Sequence, residues 1–160
     1  MEFLKVLDDD KNELLKKVER GKTLNEGEHI LLAIIIIEDS NDKYLIQKTS
    51  KQKGDCYAFT GGHILYNETS REGIIREAKE ELGITINRVK YITDIKLGIP
   101  FMDIYYLKKD IKKDELKLQK EEVESIEFLS KEEILNLIKK GKLRQSHYKA
   151  FDKFLKLQKD

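Results

Sequence analysis

Three glutamates, Glu77, Glu80 and Glu81, stand at i, i+3 and i+4, a spacing that puts all three on one stripe of an α-helix. Like charges so placed repel and weaken an isolated helix. A hard divalent cation would offset that repulsion. Magnesium takes oxygen ligands, commonly one or two carboxylates completed by water and substrate phosphates. Bound to a diphosphate, such a cation neutralises charge and lowers the pKa of a coordinated water, and a further carboxylate can take the water's proton. Crowded carboxylates also raise one another's pKa while metal is absent, which suits a base. Just upstream, Gly61-Gly62-His63 supplies backbone that a ligand can approach closely and an imidazole, the side chain whose charge changes near neutrality.

A helix over about 70–82 must carry these glutamates. Thr69 with Glu72 reads as a capping box at its start, and Gly83 suits the left-handed residue past its end. Ile74, Ile75, Ala78 and Leu82 follow the 3.6-residue period and form the face that packs on a sheet. The plain alternative is a solvated acidic face paired with Lys79 and Arg76, but it leaves the glycines and Glu68 without a role.

The stretch from Gly62 to Ile84 resembles the signature of the Nudix hydrolases. The pattern is glycine, five residues, glutamate, seven residues, Arg-Glu, an apolar residue, one residue, Glu-Glu, one residue, glycine and an apolar residue. Gly62, Glu68, Arg76-Glu77, Glu80-Glu81, Gly83 and Ile84 fill it, with Ala78 smaller than the usual aliphatic. The motif covers 62–84, and the wider resemblance about 30–140.

The remaining chain reads as one domain. At 160 residues it can bury a sizeable core. Charged residues are 38% of it, mixed in sign, with a net charge of +1, which argues against a surface dedicated to nucleic-acid polymers. One cysteine, Cys56, precludes an intrachain disulfide and fits a reducing compartment. The first ten residues lack the pattern of a signal peptide, and the apolar run 30–37 is too short to span a bilayer. A cytoplasmic protein with no membrane partner is expected.

Along the chain, turn chemistry at Asp8–Asn12 joins two short runs into an N-terminal hairpin within 1–20. An EF-hand reading of Asp8, Asp10, Asn12 and Glu19 fails at its sixth position, where Glu13 replaces glycine. The β-branched run 30–37 is a central strand covered on both faces. Strands are expected at 44–48, 57–60, 84–97, 101–107 and 126–129, with a mobile charged loop at 110–120. Ser130 and Glu133 cap a helix ending at Gly141. A last helix, 146–158, turns Tyr148, Phe151, Phe154 and Leu155 inward, and packing on the sheet is favoured over lying on a membrane. Helices occupy 131–158, and His147 reads as a surface residue.

Strands mixed with helices give an α/β protein with a mixed sheet between helical layers. The Nudix resemblance implies the same α/β/α sandwich. It further implies that Glu80 and Glu81 are magnesium ligands (manganese as a substitute), that Glu77 is a ligand or the general base, and that Arg76 orients the glutamates. Gly61 would offer a carbonyl to the metal, Gly62 would permit its close approach, and Glu68 would tie loop to helix. Glu122, with Glu121 second, is the choice for a further glutamate from outside the motif. Lys48, Lys51 and Lys53 are candidates to meet phosphate, Tyr57 or Phe59 to stack on a base, and His63 and His29 to reach the site. The implied activity is magnesium-dependent pyrophosphatase chemistry on a nucleoside diphosphate linked to another group, or on a related small organic pyrophosphate. A homodimer is the associated assembly, with the hairpin available to form it.

His29, Leu45–Lys48 and Gly61-Gly62-His63 also resemble the isopentenyl-diphosphate isomerase-like branch. Isomerases of that kind place a cysteine where this chain has Gly61. The alternatives to the hydrolase are thus an isomerase-like enzyme and a non-catalytic nucleotide sensor on the same fold.

Overall fold

The long apolar strand β3 (His29–Glu38) is the axis of the sheet. The computed structural model describes residues 1–159. On one side β3 runs parallel to β8 (Phe101–Lys108), from Leu31 opposite Phe101 to Glu38 opposite Lys108. On the other it meets, in turn, β1 (Phe3–Leu7), β6 (Thr60–His63) and the first residues of β4 (Lys43–Thr49), all antiparallel. Outer strands complete a mixed, curled sheet. β2 (Glu13–Glu19) pairs β1, and β7 (Lys90–Lys96) pairs β8. β5 (Tyr57–Ala58) and β9 (Val123–Ser130) both pair β4.

Because side chains alternate along a strand, β3 feeds two cores. Leu31, Ala33, Ile35 and Ile37 pack beneath helix α1 (Ser70–Leu82) through Ile74, Ala78 and Leu82. Ile34 and Ile36 pack with Ile46 and Phe59 against α2 (Lys131–Lys139) and α3 (Gln145–Gln158), through Ile134, Phe151 and Phe154. This is the α/β/α sandwich. Both capping boxes form, Thr69 with Glu72 and Ser130 with Glu133. Gly83 takes φ 72° and ends α1. No helix among the described residues is long and apolar enough to cross a membrane.

Three expectations are corrected. The strand anticipated from 84 begins only at Lys90, because Ile84, Ile86 and Val89 bury themselves under α1 as an irregular segment. The charged loop 110–120 is pinned to the fold rather than loose. Ile111 is buried, Leu116 and Leu118 pack on the α1 core, and the Lys117 and Gln119 amides donate to the carbonyls of Leu82 and Glu81 at 2.8 and 3.1 Å. On α3 the inward stripe is His147, Ala150, Phe151 and Phe154, while Tyr148 is 40% exposed. Phe151 and Phe154 face inward as expected and Leu155 packs beside them, but the edge of the stripe buries His147 rather than Tyr148.

Candidate active site

Strand β6 brings Gly61 and Gly62 against the acidic stripe of α1. A side-chain carbon at Gly62 would stand 2.7 Å from the Glu77 carboxylate, and one at Gly61 would collide with the Ala33 carbonyl and Ile34. Glycine is required at Gly61, where neighbouring backbone leaves no room for a Cβ, whereas at Gly62 a Cβ would displace the Glu77 carboxylate from the site. The Gly61 amide points at Glu81 Oε1, 3.4 Å away.

Arg76 holds this corner together. Its guanidinium donates to both carboxylate oxygens of Glu68, at 2.7 and 3.0 Å, the paired geometry that fixes a planar fork. It also reaches Glu77 at 3.0 Å, Glu80 at 3.1 Å and the His63 carbonyl at 3.1 Å. Glu68 in turn accepts from the Leu65 amide at 2.9 Å. One cation therefore ties the glycine loop to three helix-facing carboxylates.

Glu81 lies deepest, 5% exposed. Gln47, buried on β4, donates to Glu81 Oε1 at 3.0 Å and to the Thr60 hydroxyl at 2.7 Å. Burial, reinforced by Glu77, pushes the Glu81 carboxyl up to about 9. Burial also raises Glu77, against the pull of Glu81 and Arg76. Each carboxyl's charge disfavours ionisation of the other, adding to the cost of burial in the metal-free protein. Burial holds the half-buried His63 down at about 4, so its ring is neutral.

These groups open on a cavity of about 190 Å³. Gly61, Gly62, His63, Glu77, Glu80 and Glu81 line it, and so does Glu122 from the segment before β9. Lys53 also lines it and stands 3.5 Å from Glu122. Glu121 points elsewhere: only its carbonyl is engaged, accepting from the Ser50 hydroxyl. Lys48 lies over the Tyr57 ring, 5.0 Å from its centroid, and pairs with Asp55. Neither Lys48 nor Tyr57 lines the cavity, whereas Phe59 does, as part of the core.

Two histidine expectations change. His29 does not reach the cavity; it is spent on bracing, with Asp9 at 2.7 Å and the Ile99 carbonyl at 2.8 Å. His147 is not at the surface but buried, on the cavity wall, and its Nδ1 accepts from the Phe59 amide at 3.0 Å. Sequence reasoning also passed over Gln47 and Arg144. A polar residue inside the apolar strand 44–48 was the available signal for Gln47. Nothing local marked Arg144, which the fold brings in from beyond α2.

Among the described residues no three His, Cys, Asp or Glu side chains form a ready-made cage. The donor set nonetheless fits a hard divalent cation. It consists of clustered carboxylate oxygens, the deepest of them raised by burial and by its acidic neighbour, beside backbone that no side chain shields. Magnesium needs only one or two such carboxylates, with water and substrate phosphate completing its shell.

A family model for the NUDIX domain matches residues 28–154. An uncharacterised Nudix hydrolase of Listeria innocua is 36% identical over 138 residues, 81% of this chain and 80% of that protein. In backbone the chain matches the crystal structure of DR0079 from Deinococcus radiodurans with a TM-score of 0.76 at 20% identity, covering 88% of this chain and 91% of that one. It matches the NUDIX domain of Shewanella oneidensis NrtR, solved with ADP ribose, with a TM-score of 0.67 at 12% identity, covering 88% and 94%. At those identities the two structures speak for the shared fold alone.

Proposed function

The chain belongs to the Nudix hydrolases, and from that premise we propose that it uses a divalent cation, magnesium first, to cleave a diphosphate bond in a nucleoside diphosphate linked to another group or in a related organic pyrophosphate. The observation that carries the reading is Glu81: a glutamate 5% exposed, one helical turn from Glu77 and facing the backbone amide of Gly61. A carboxyl so expensive to ionise is retained where a cation needs it.

Glu80, Glu81 and the Gly61 carbonyl would hold the metal, with Glu77 and Glu122 at its margin. When bound, the metal neutralises phosphate charge and lowers the pKa of water. The chain's own contribution is orientation and proton handling. Arg76 fixes Glu77 and Glu80 from behind. Gln47 fixes one oxygen of Glu81 and leaves the other for the site. Glu77, raised by burial, is suited to accept the proton of the attacking water. The remaining carboxylates supply ligands rather than bases.

Gly61 also weighs against isomerase chemistry. A cysteine there would collide with Ala33 and Ile34, and Cys56 sits against Thr49, off the cavity wall. Retention of the full glutamate set, with Arg76 bridging it, weighs against a sensor without turnover.

The test is phosphate or nucleotide release with and without magnesium, over nucleoside triphosphates, ADP-ribose, nucleotide sugars, dinucleoside polyphosphates and isopentenyl diphosphate, beside the Glu81→Gln variant. Magnesium-dependent cleavage that falls at least about a hundredfold in the variant is expected. Turnover within about threefold of wild type would remove Glu81 from the chemistry.

A further inference from the structure

Helix α3 opens on the cavity with its first turn. Arg144 occupies the capping position and makes no side-chain cap. The first helical bond runs from the Tyr148 amide to the Arg144 carbonyl at 2.9 Å. The amides of Gln145, Ser146 and His147 precede it and find no acceptor among the described residues, as is usual for an uncapped start. Arg144, Ser146 and His147 all line the cavity that contains Glu77 and Glu81.

His147 is the independent observation. It is 5% exposed, and its Nδ1 accepts from the Phe59 amide at 3.0 Å. An imidazole nitrogen that accepts carries no proton, so the proton resides on Nε2. That Nε2–H has no partner among the described residues, although none of their fully enclosed side-chain polar atoms is left without one. It therefore faces the cavity as a donor. Burial holds the ring down at about 3, so the same donor persists across the working pH range.

Every polar group this turn presents is a donor or, for the Ser146 hydroxyl, can act as one. The Arg144 fork commits one arm to the Lys53 carbonyl at 2.8 Å and keeps the rest. Donors gathered at the positive end of a helix select an oxyanion, and a guanidinium among them matches the spread of phosphate oxygens. Lys53, beside Glu122, offsets the acid charge that would repel it.

We propose that the first turn of α3, with His147 Nε2–H in its wall and Arg144 at its rim, is a subsite for a phosphoryl group other than those of the scissile bond. The substrate class this selects bears a terminal phosphate beyond that bond, as nucleoside triphosphates do. The substrate preference rests on the hydrolase reading above; the binding of phosphate at α3 does not.

The two are separable by experiment. Full-length Glu81→Gln protein without metal is titrated with inorganic phosphate while ¹⁵N signals are followed. Saturable shifts at the Ser146 and His147 amides and at His147 Nε2 are expected, and they are lost in Arg144→Gln. His147→Asn retains an acceptor for the Phe59 amide, but its shorter side chain carries no N–H at the Nε2 position, and a thermal melt checks its fold. It should weaken phosphate binding about tenfold. Ser146→Ala provides a milder second variant. Shifts scattered over surface lysines, or a deprotonated Nε2, would overturn the subsite. In otherwise wild-type enzyme, His147→Asn should lower the ratio of kcat/KM for a nucleoside triphosphate over ADP-ribose about tenfold; an equal loss on both would overturn the preference. Phosphate shifts at α3 with no turnover of any substrate would leave the subsite standing and remove the hydrolase reading.

Discussion

Arg76 shows how far one side chain organises the acidic corner. It contacts Glu68, Glu77, Glu80 and the His63 carbonyl together, and only a planar fork can do so. Arg76→Lys should lower kcat about 10- to 100-fold and weaken magnesium affinity, read from rate against magnesium concentration. Glu81 makes a second, pH-dependent demand. Its folded pKa, about 9, lies above the ordinary glutamate value of 4.5. Between those values the folded protein retains a proton that the unfolded chain has released, so stability falls as pH rises. Melts of the metal-free protein from pH 5 to 9 should show a falling Tm. Glu81→Gln should flatten that slope, and saturating magnesium should reverse it at the alkaline end.

At the scale of elements, the site depends on braces far from it. The turn between β1 and β2 is fastened to β3 by Asp9 and His29, and to β7 and β8 by Lys11, which reaches Asp94 at 2.5 Å and Asp103 at 2.6 Å. Asp103 is buried on β8, opposite Ala33 of β3. Lys11→Met would leave that carboxylate without its cation. We expect a loss of about 2–3 kcal/mol in urea unfolding, less than for a fully buried pair because Lys11 remains partly exposed. Activity per folded molecule should be retained, since none of the three lines the cavity. The segment 110–120 illustrates the converse. Its charge suggested mobility, but Ile111, Leu116 and Leu118 bury it beside α1, and its amides close the carbonyls at the end of that helix.

For the whole molecule, the two helical layers are coupled through the cavity. α1 supplies the acids from one face of the sheet, and α3 supplies Arg144, Ser146 and His147 from the other. Phe151 links α3 to the sheet through Tyr44 and Phe59, each 5.3 Å away between ring centroids. Phe151→Ala should cost about 3–5 kcal/mol, measured by denaturant unfolding. It should also loosen Phe59, whose amide sets the His147 tautomer; Phe151→Leu should do less of both.

The acidic helix, both capping boxes, the glycine pair and the central strand are legible in the chain before it folds. Each is written in local spacing: i, i+3, i+4 for the acids, Thr-x-x-Glu and Ser-x-x-Glu for the caps, and an unbroken β-branched run for β3. His63 was nameable because it follows the glycine pair, Lys53 as a lysine of the loop before it, and Glu122 because the Nudix resemblance implies a glutamate from outside the motif. What stands opposite them depends on how distant segments pair and pack. Gln47, Arg144 and His147 reach the cavity through the pairing of β4 with β9 and the packing of α3 on the sheet. Gln47 stands out only as a polar residue within an apolar strand, and nothing within 144–158 says which side chains meet the acids across the sheet. His29 and His147 are both buried, and only His147 lines the cavity, for the same reason. Burial of a histidine is set by which face its element turns to the core, and at the edge of an apolar stripe the sequence does not say on which side His147 falls.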